Sequence, residues 1–525
     1  MYILITVLIL FLTALALVIL RLMRPNLRYA WLIAAGGAFL TWLSVILWQI
    51  FMPLTLKLPA WQPASLFQDI PTFFADQFSW PYALSLASLA LAMILTAVVR
   101  DDFPDQLGWA GILTLSGLGM LAVLADNPLT LVLVWGAIDL TELITQIRSA
   151  EGESANERVV IGFSTRILGT GILLWAGMAS LSKGVPLDFH AARPDVGIIL
   201  ILSAGLRLGV IPLHLSYSSD AALRRGFGTA LRLVAAASSL ILLARIPAES
   251  AQSPFAPFLL ILVAVAAVYG GLTWIRSSDE LTGRPYWVIG LSSLAFASAL
   301  RGDPAGTVAW GSALILAGGA LFLSSLQHRV LNRILLVVGI WGLSTLPYSM
   351  TASGWQSNVN ANWAIWITWP ALLAAQALLI GGFIRHTLRP AASKPIDSQP
   401  IWSRNVYPFG IGSLLLTLAA LGFYGWAGAL TVVVPIVSAL ALILTGAVYW
   451  LTPRLPWLNP IGVRSRLAGG QTAFVDAGYR VLWNLYRQLG RLSEFILTAF
   501  EGDGGLLWAL LFLVLFVSML APRLP

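Results

Sequence analysis

Long apolar runs separated by short polar punctuation fill the chain from end to end. They lie near residues 2–23, 29–51, 80–99, 106–125, 128–147, 157–181, 194–212, 225–245, 255–275, 284–301, 306–324, 329–347, 362–385, 407–427, 428–451 and 505–521. Each approaches the ~20 residues that a helix needs to cross the hydrocarbon core of a bilayer. The pattern predicts an all-α polytopic membrane protein with about sixteen transmembrane helices. Residues 52–79, holding Pro53, Pro59, Pro63 and Pro71, read as an external loop on the membrane surface. Residues 390–408 read as a short linker. Within 471–500, Leu482, Leu485, Leu489, Leu492 and Ile496 share one helical face, while Arg480, Asn484, Arg487 and Arg491 share another. That amphipathic pattern predicts a helix lying along the interface, on anionic lipid or strapped to a partner subunit. The expected organisation is residues 1–79 (N-terminal spans and loop), 80–390 (core) and 391–525 (C-terminal spans, the 471–500 helix and a last span at 505–521).

Composition sharpens this reading. Hydrophobic residues make up 58% of the chain and charged residues 10%, more apolar surface than a soluble core absorbs. Of the 31 Lys and Arg residues, 22 fall in or beside connections that follow odd-numbered runs, among them Arg21, Arg24, Arg28, Arg276, Arg329 and Arg385. The opposite side holds Lys57, Lys183, Arg193, Arg245, Arg301 and Arg523. Basic residues collect in cytoplasmic loops, so the N terminus is expected outside a prokaryotic cell membrane. Topology also accounts for the net charge of +8, and no nucleic-acid partner is implied. The first run is followed, not preceded, by its arginines, the reverse of a secretory signal, and reads as a retained span.

The chain has no cysteine, which excludes disulfides, thiolate metal sites and iron–sulfur ligands; a redox centre would have to sit on a partner subunit. No nucleotide, flavin or zinc spacing occurs, so no cofactor, metal or catalytic residue is expected. His190, His328 and His386 read as surface histidines. Tryptophans such as Trp31, Trp61, Trp80, Trp310 and Trp450 read as interface belts.

Asp139, Glu142, Arg166, Arg207 and Arg232 lie inside the runs. A charge at a helix centre costs ~2.5–3.5 kcal/mol on insertion scales, so these residues should face the bundle interior and find partners. Asp139 and Glu142, three apart, share a helix face. They fit either an ion pair that holds helices together or a proton or ion path in which His214 also titrates. Two runs carry breakers: Gly205 through Pro212 to His214, and Gly342 to Pro347. Proline there leaves a backbone carbonyl unpaired, tolerated where protein or cavity water satisfies it. The breaks are five runs apart, as inverted repeats of five helices would place them.

On these features, residues 80–390 resemble the antiporter-like subunits of respiratory complex I (NADH:quinone oxidoreductase) and the related Mrp sodium/proton antiporter subunits. Asn127 to Trp135-Gly136 follows the family's fifth-span pattern. Arg207, Pro212, Leu213 and His214 follow the spacing of its seventh, and Thr345-Leu-Pro347 with Gly354-Trp355 that of its twelfth. The resemblance implies proton translocation coupled to electron transfer, through a glutamate and three lysines. Those positions fall here on Gly136, Arg207, Ala237 and Trp355, so the implied relay is degenerate. An arginine keeps its proton (pKa above ~12) where a buried lysine can release one. The expectation is a membrane-arm subunit of a complex-I-like assembly. The alternatives are an Mrp-type cation/proton antiporter subunit and a non-pumping structural subunit. All three place the chain among other membrane subunits and lipid.

Overall fold

A computed structural model describes residues 2–24, 30–59, 70–100, 105–149, 153–214, 225–358, 363–388, 396–425 and 433–451, with Thr431 and Arg454. The chain divides into two compact units, Met1–Pro460 and Ile461–Pro525. The second, with the expected 471–500 helix and 505–521 span, lies outside the described residues.

Fifteen α-helices occur among the described residues, one for each of the first fifteen apolar runs. They are α1 (Tyr2–Met23), α2 (Ala30–Phe51), α3 (Ser79–Thr96), α4 (Gln106–Leu124), α5 (Pro128–Ser149), α6 (Glu153–Leu181), α7 (Pro194–Leu208) and α8 (Arg225–Ala244). The series continues with α9 (Ala256–Arg276), α10 (Arg284–Ala299), α11 (Pro304–Leu323), α12 (Arg329–Leu343), α13 (Trp363–Leu388), α14 (Ile401–Tyr424) and α15 (Val433–Leu451). Twelve of the fifteen are long and apolar enough to cross a membrane. Proline opens many of them: Pro194, Pro257, Pro285 and Pro304 sit in first turns, where the missing N–H has no helical partner to lose.

Burial sorts the helices into layers. α3, α8 and α11 are apolar on nearly every face and are buried all round, as such helices must be in a large bundle. α1 buries Ile3, Val7, Leu10, Ala14 and Leu17 against α2 and α4, while Leu8, Leu12, Leu15 and Ile19 stay exposed on its lipid face. α9 packs against both α10 and α13, and α14 packs against α3 and α11.

The 52–79 segment is more than a surface loop. Leu54–Lys57 (β1) and Thr72–Ala75 (β2) pair antiparallel with Leu54 opposite Ala75 and Lys57 opposite Thr72. Phe73 and Ala75 are buried. The hairpin is stitched to the start of α5: Thr130 Oγ1 accepts from Thr72 N at 2.9 Å, Asp126 N donates to Thr72 O at 3.0 Å, and Asn127 Nδ2 donates to Ile70 O at 2.7 Å. The interface-belt reading also fails for part of the tryptophan set. Trp80 and Trp310 are buried, donating to Val45 O and Gly354 O, because a buried indole N–H needs an internal acceptor.

Both expected helix breaks occur. α7 stops at Leu208 because Gly209 takes a left-handed φ of 74°, open to glycine without steric cost. The N–H groups of Val210 and Ile211 fold back onto Gly205 O, so Pro212 lies in the turn beyond the helix. α12 stops at Leu343, ahead of Pro347. Thr345 and Tyr348 have φ of 58° and 61°, uncommon for non-glycine residues. The exposed carbonyls of this break are covered: Thr351 Oγ1 donates to Gly342 O at 2.9 Å and Gln376 Nε2 to Leu343 O at 2.8 Å.

Candidate functional site

α5 is set up by its first residues. Asn127 caps it, Oδ1 accepting from Thr130 N at 2.9 Å and from Thr130 Oγ1 at 2.7 Å, and Pro128 follows at the first helical position. Three turns further on, Asp139 and Glu142 project from one buried face, each less than 5% exposed.

Arg207, in the last turn of α7, grips Asp139 with two parallel bonds, Nη1 to Oδ2 at 2.7 Å and Nη2 to Oδ1 at 2.8 Å. This fork geometry is the strong form of the arginine–carboxylate pair. Arg166 on α6 bridges the two carboxylates: Nη1 lies 3.4 Å from Asp139 Oδ1 and donates to Glu142 Oε2. Arg232 on α8 closes the row, with Nη1 2.6 Å from Glu142 Oε1. The order Arg207, Asp139, Arg166, Glu142, Arg232 alternates in sign and joins four helices. Gln146 Nε2 also donates to Glu142 Oε1.

The remaining contacts of Arg207 are equally built. Its guanidinium lies 3.9 Å from the centre of the Trp135 ring, and Trp135 Nε1 donates to Ser238 Oγ at 3.1 Å. Nη1 also reaches Thr170 Oγ1 at 3.1 Å and Arg166 O at 3.3 Å. The arginine stem crosses α6 at Gly169, where an added Cβ would lie 2.7 Å from Arg207 Cγ. A cavity of about 10 Å³ sits beside Asp139, Glu142, Gln146 and Arg166, about the room of a single water.

His214 stands apart. Its Nδ1 bonds Pro212 O at 2.8 Å, its Nε2 is buried without a hydrogen-bond partner, and no bond among the described residues joins it to the charged row. Pro212 and Pro347 take no part in the row either. Of the positions the family resemblance singles out, Ala237 is buried in α8. Trp355 donates to Gln376 Oε1 at 2.9 Å and lies beneath the Arg301 guanidinium. Gly136 has nothing within 4 Å of an added Cβ.

A second charged cluster, at the hairpin end, consists of residues the sequence assigns to loops. Asp126 pairs with Arg245 Nη1 at 3.1 Å and with His190 Nδ1 at 2.9 Å, and Arg245 Nη2 reaches Asp76 Oδ1 at 3.5 Å. Burial and the Asp126 charge hold the Asp188 carboxyl above its usual range, with His190 and Lys57 opposing. His190 is exposed at the surface and partnered by Asp126. His386 is not a surface group at all: it is buried, with Nε2 3.1 Å from Trp274 O and its ring against the Trp274 indole. His328 caps α12, accepting from Leu331 N.

Fold and site define a polytopic membrane protein with interrupted helices and a central row of alternating buried charges. Solved structures with this fold are subunits of large membrane complexes. A chain of the Mrp complex from Dietzia sp. DQ12-45-1b superposes with a TM-score of 0.69 at 15% identity, over 100% of this chain and 63% of that one. This chain therefore spans less than two thirds of the length of its Mrp counterpart. A chain of the membrane-bound sulfane sulfur reductase, an archaeal respiratory membrane complex, gives 0.65 at 14% identity over 98% of this chain and 100% of the other. A chain of respiratory complex I from Thermus thermophilus gives 0.60 at 17% identity over 85% and 100%. No family model and no curated protein matches the sequence. The fold is the one that the resemblance in residues 80–390 implies.

Proposed function

We propose that this chain is a membrane subunit of a multi-subunit ion-translocating assembly of the complex-I or Mrp type, and that its central charges lock helices together instead of relaying protons. The observation that carries the second half is the bonding of both α5 carboxylates to arginines, two on each. A relay needs groups that gain and lose protons in turn. Arginine stays charged through any accessible pH, and each carboxylate already accepts bonds from two guanidiniums. Electron transfer in such an assembly would belong to partner subunits, since this chain has no cysteine to ligate a cluster.

The test is transport by the purified protein in proteoliposomes carrying a pH-sensitive dye. Cation/proton exchange should not exceed that of vesicles made with the Asp139→Asn variant. Saturable exchange by the unmodified protein, lost in Asp139→Asn but kept in His328→Ala, would overturn the reading. A conducting path through Asp139, Glu142 and His214 has its own support in the unpartnered His214 Nε2 and the water-sized cavity beside Glu142. In that case His214→Gln would abolish the exchange as well.

A further inference from the structure

A cavity of about 480 Å³ lies where the turn following α12 meets the first turns of α13 and α15, within the ~300–1,000 Å³ span of small-molecule sites. Its walls include Arg301, Gln356, Ile365, Trp366, Trp369 and Val434. Arg301 is 3% exposed. Its Nε donates to Ala297 O at 3.0 Å and its Nη2 to Gly354 O at 2.9 Å. None of its hydrogen bonds among the described residues uses Nη1, and no carboxylate among them lies within 4.0 Å of it. Burial lowers its pKa to about 10, against the opposing charge of the nearby Asp303 carboxyl, so the group is a cation at neutral pH. Gln356 lines the same cavity, and its buried Nε2 has no partner.

A guanidinium on a cavity wall with an unused Nη1 donor offers an anion a charge-assisted hydrogen bond, beyond the more distant charge of Asp303. The far wall says which kind. Trp366 is 70% exposed, and Trp363 and Ile367 are exposed beside it on the first turn of α13, which is where aromatic side chains sit at the membrane interface. The cavity thus joins a fixed cation to a surface that meets lipid.

We propose that this cavity binds the headgroup of a net-anionic phospholipid, with its phosphate on Arg301 and its glycerol and upper acyl chains against Trp366 and Trp369. An anion alone would use the guanidinium but not the indoles. An uncharged amphiphile would use the indoles and leave the Nη1 donor unused.

Native mass spectrometry of the delipidated full-length protein tests this, with phosphatidylglycerol, phosphatidylcholine of the same acyl chains and inorganic phosphate as probes. Phosphatidylglycerol should be retained about tenfold more tightly than phosphatidylcholine, a difference of ~1.4 kcal/mol. Arg301→Gln and Trp366→Ala should each remove that preference, and Arg301→Lys should keep most of it. Trp366 is largely exposed, so its variant decides the matter if Arg301→Gln does not fold. Unchanged preference in Trp366→Ala, or displacement of the lipid by inorganic phosphate at comparable concentration, would overturn the proposal. The latter outcome would make the site one for free anions.

Discussion

Changing Asp139 to Asn keeps the size of the side chain but withdraws the charge shared by Arg207 and Arg166. Both guanidiniums stay where they are, because Arg207 is still held by Thr170, Arg166 O and the Trp135 face. The variant thus leaves buried positive charge uncompensated, for which ~3–5 kcal/mol is the expected loss of stability. Arg207→Leu removes the fork and the indole contact, yet Asp139 keeps Arg166 at 3.4 Å, so its loss should fall toward the lower end of that range. In the double variant neither charge is stranded, and the two effects should fall short of additivity by up to ~3 kcal/mol, the upper end of coupling between residues in direct contact. Thermal unfolding midpoints in detergent, together with the fraction eluting as a single folded species, give the three differences. Asp139→Asn with Arg232→Leu is the control: these residues do not touch, and their coupling should be smaller. Strict additivity for Asp139 and Arg207, or equal coupling in the control, would refute the assignment of that pair as a distinct bonded unit.

Other perturbations probe separate features. Gly169→Ala places a methyl 2.7 Å from Arg207 Cγ and should destabilise by ~1–3 kcal/mol through overpacking, whereas Gly171→Ala, with nothing within 4 Å, should be close to neutral in the same melt. In this cysteine-free chain, an impermeant thiol reagent should label Ser182→Cys in intact cells and Ser278→Cys only in inverted membranes; the opposite result would reverse the expected orientation. Asp303, between α10 and α11, is raised by burial from 3.8 to about 6. The fold prefers it protonated, so its contribution is present at low pH and is lost as pH rises from about 4 through about 6. Asp303→Asn should therefore match the parent near pH 4 and exceed it above pH 6 by at most ~3 kcal/mol.

Periodicity and length located every described α-helix, because a bilayer imposes one strong rule on each span. What escaped was whatever depends on a distant neighbour. The seventh run reads as apolar to residue 212, yet α7 ends at Leu208 on the left-handed Gly209. The β1–β2 hairpin hides among prolines in four-residue strands, and its partner is the start of α5. Asp126 and Arg245 look like loop charges because each stands at the edge of an apolar run, and only the fold brings them to 3.1 Å. Asp126-Asn127-Pro128 did carry a helix-start signal. The five central charges were found because charge inside a span is costly. Arg166 as the bridge between two carboxylates was beyond what the spacing of one helix can tell.

The hairpin and the charge row act on the same helix, and that decides how α5 can behave. One of its faces is open: Leu133, Leu140, Ile144 and Ile147 are all exposed. Helices in lipid gain no hydrophobic drive toward one another, so polar links carry more of their association. α5 has two sets of such links, at Asp126 to Thr130 and, roughly 18 Å along its axis from Asn127, at Asp139 and Glu142. The hairpin fixes its start against sliding. Arginines from α6, α7 and α8 converge on one side of it, so a one-residue rotation of about 100° would carry both carboxylates away from all three. A proton relay through Asp139 or Glu142 would require one of them to release a guanidinium on each cycle, and release at this depth strands a charge in the bilayer. The arrangement that fixes α5 thus works against the motion a relay would need.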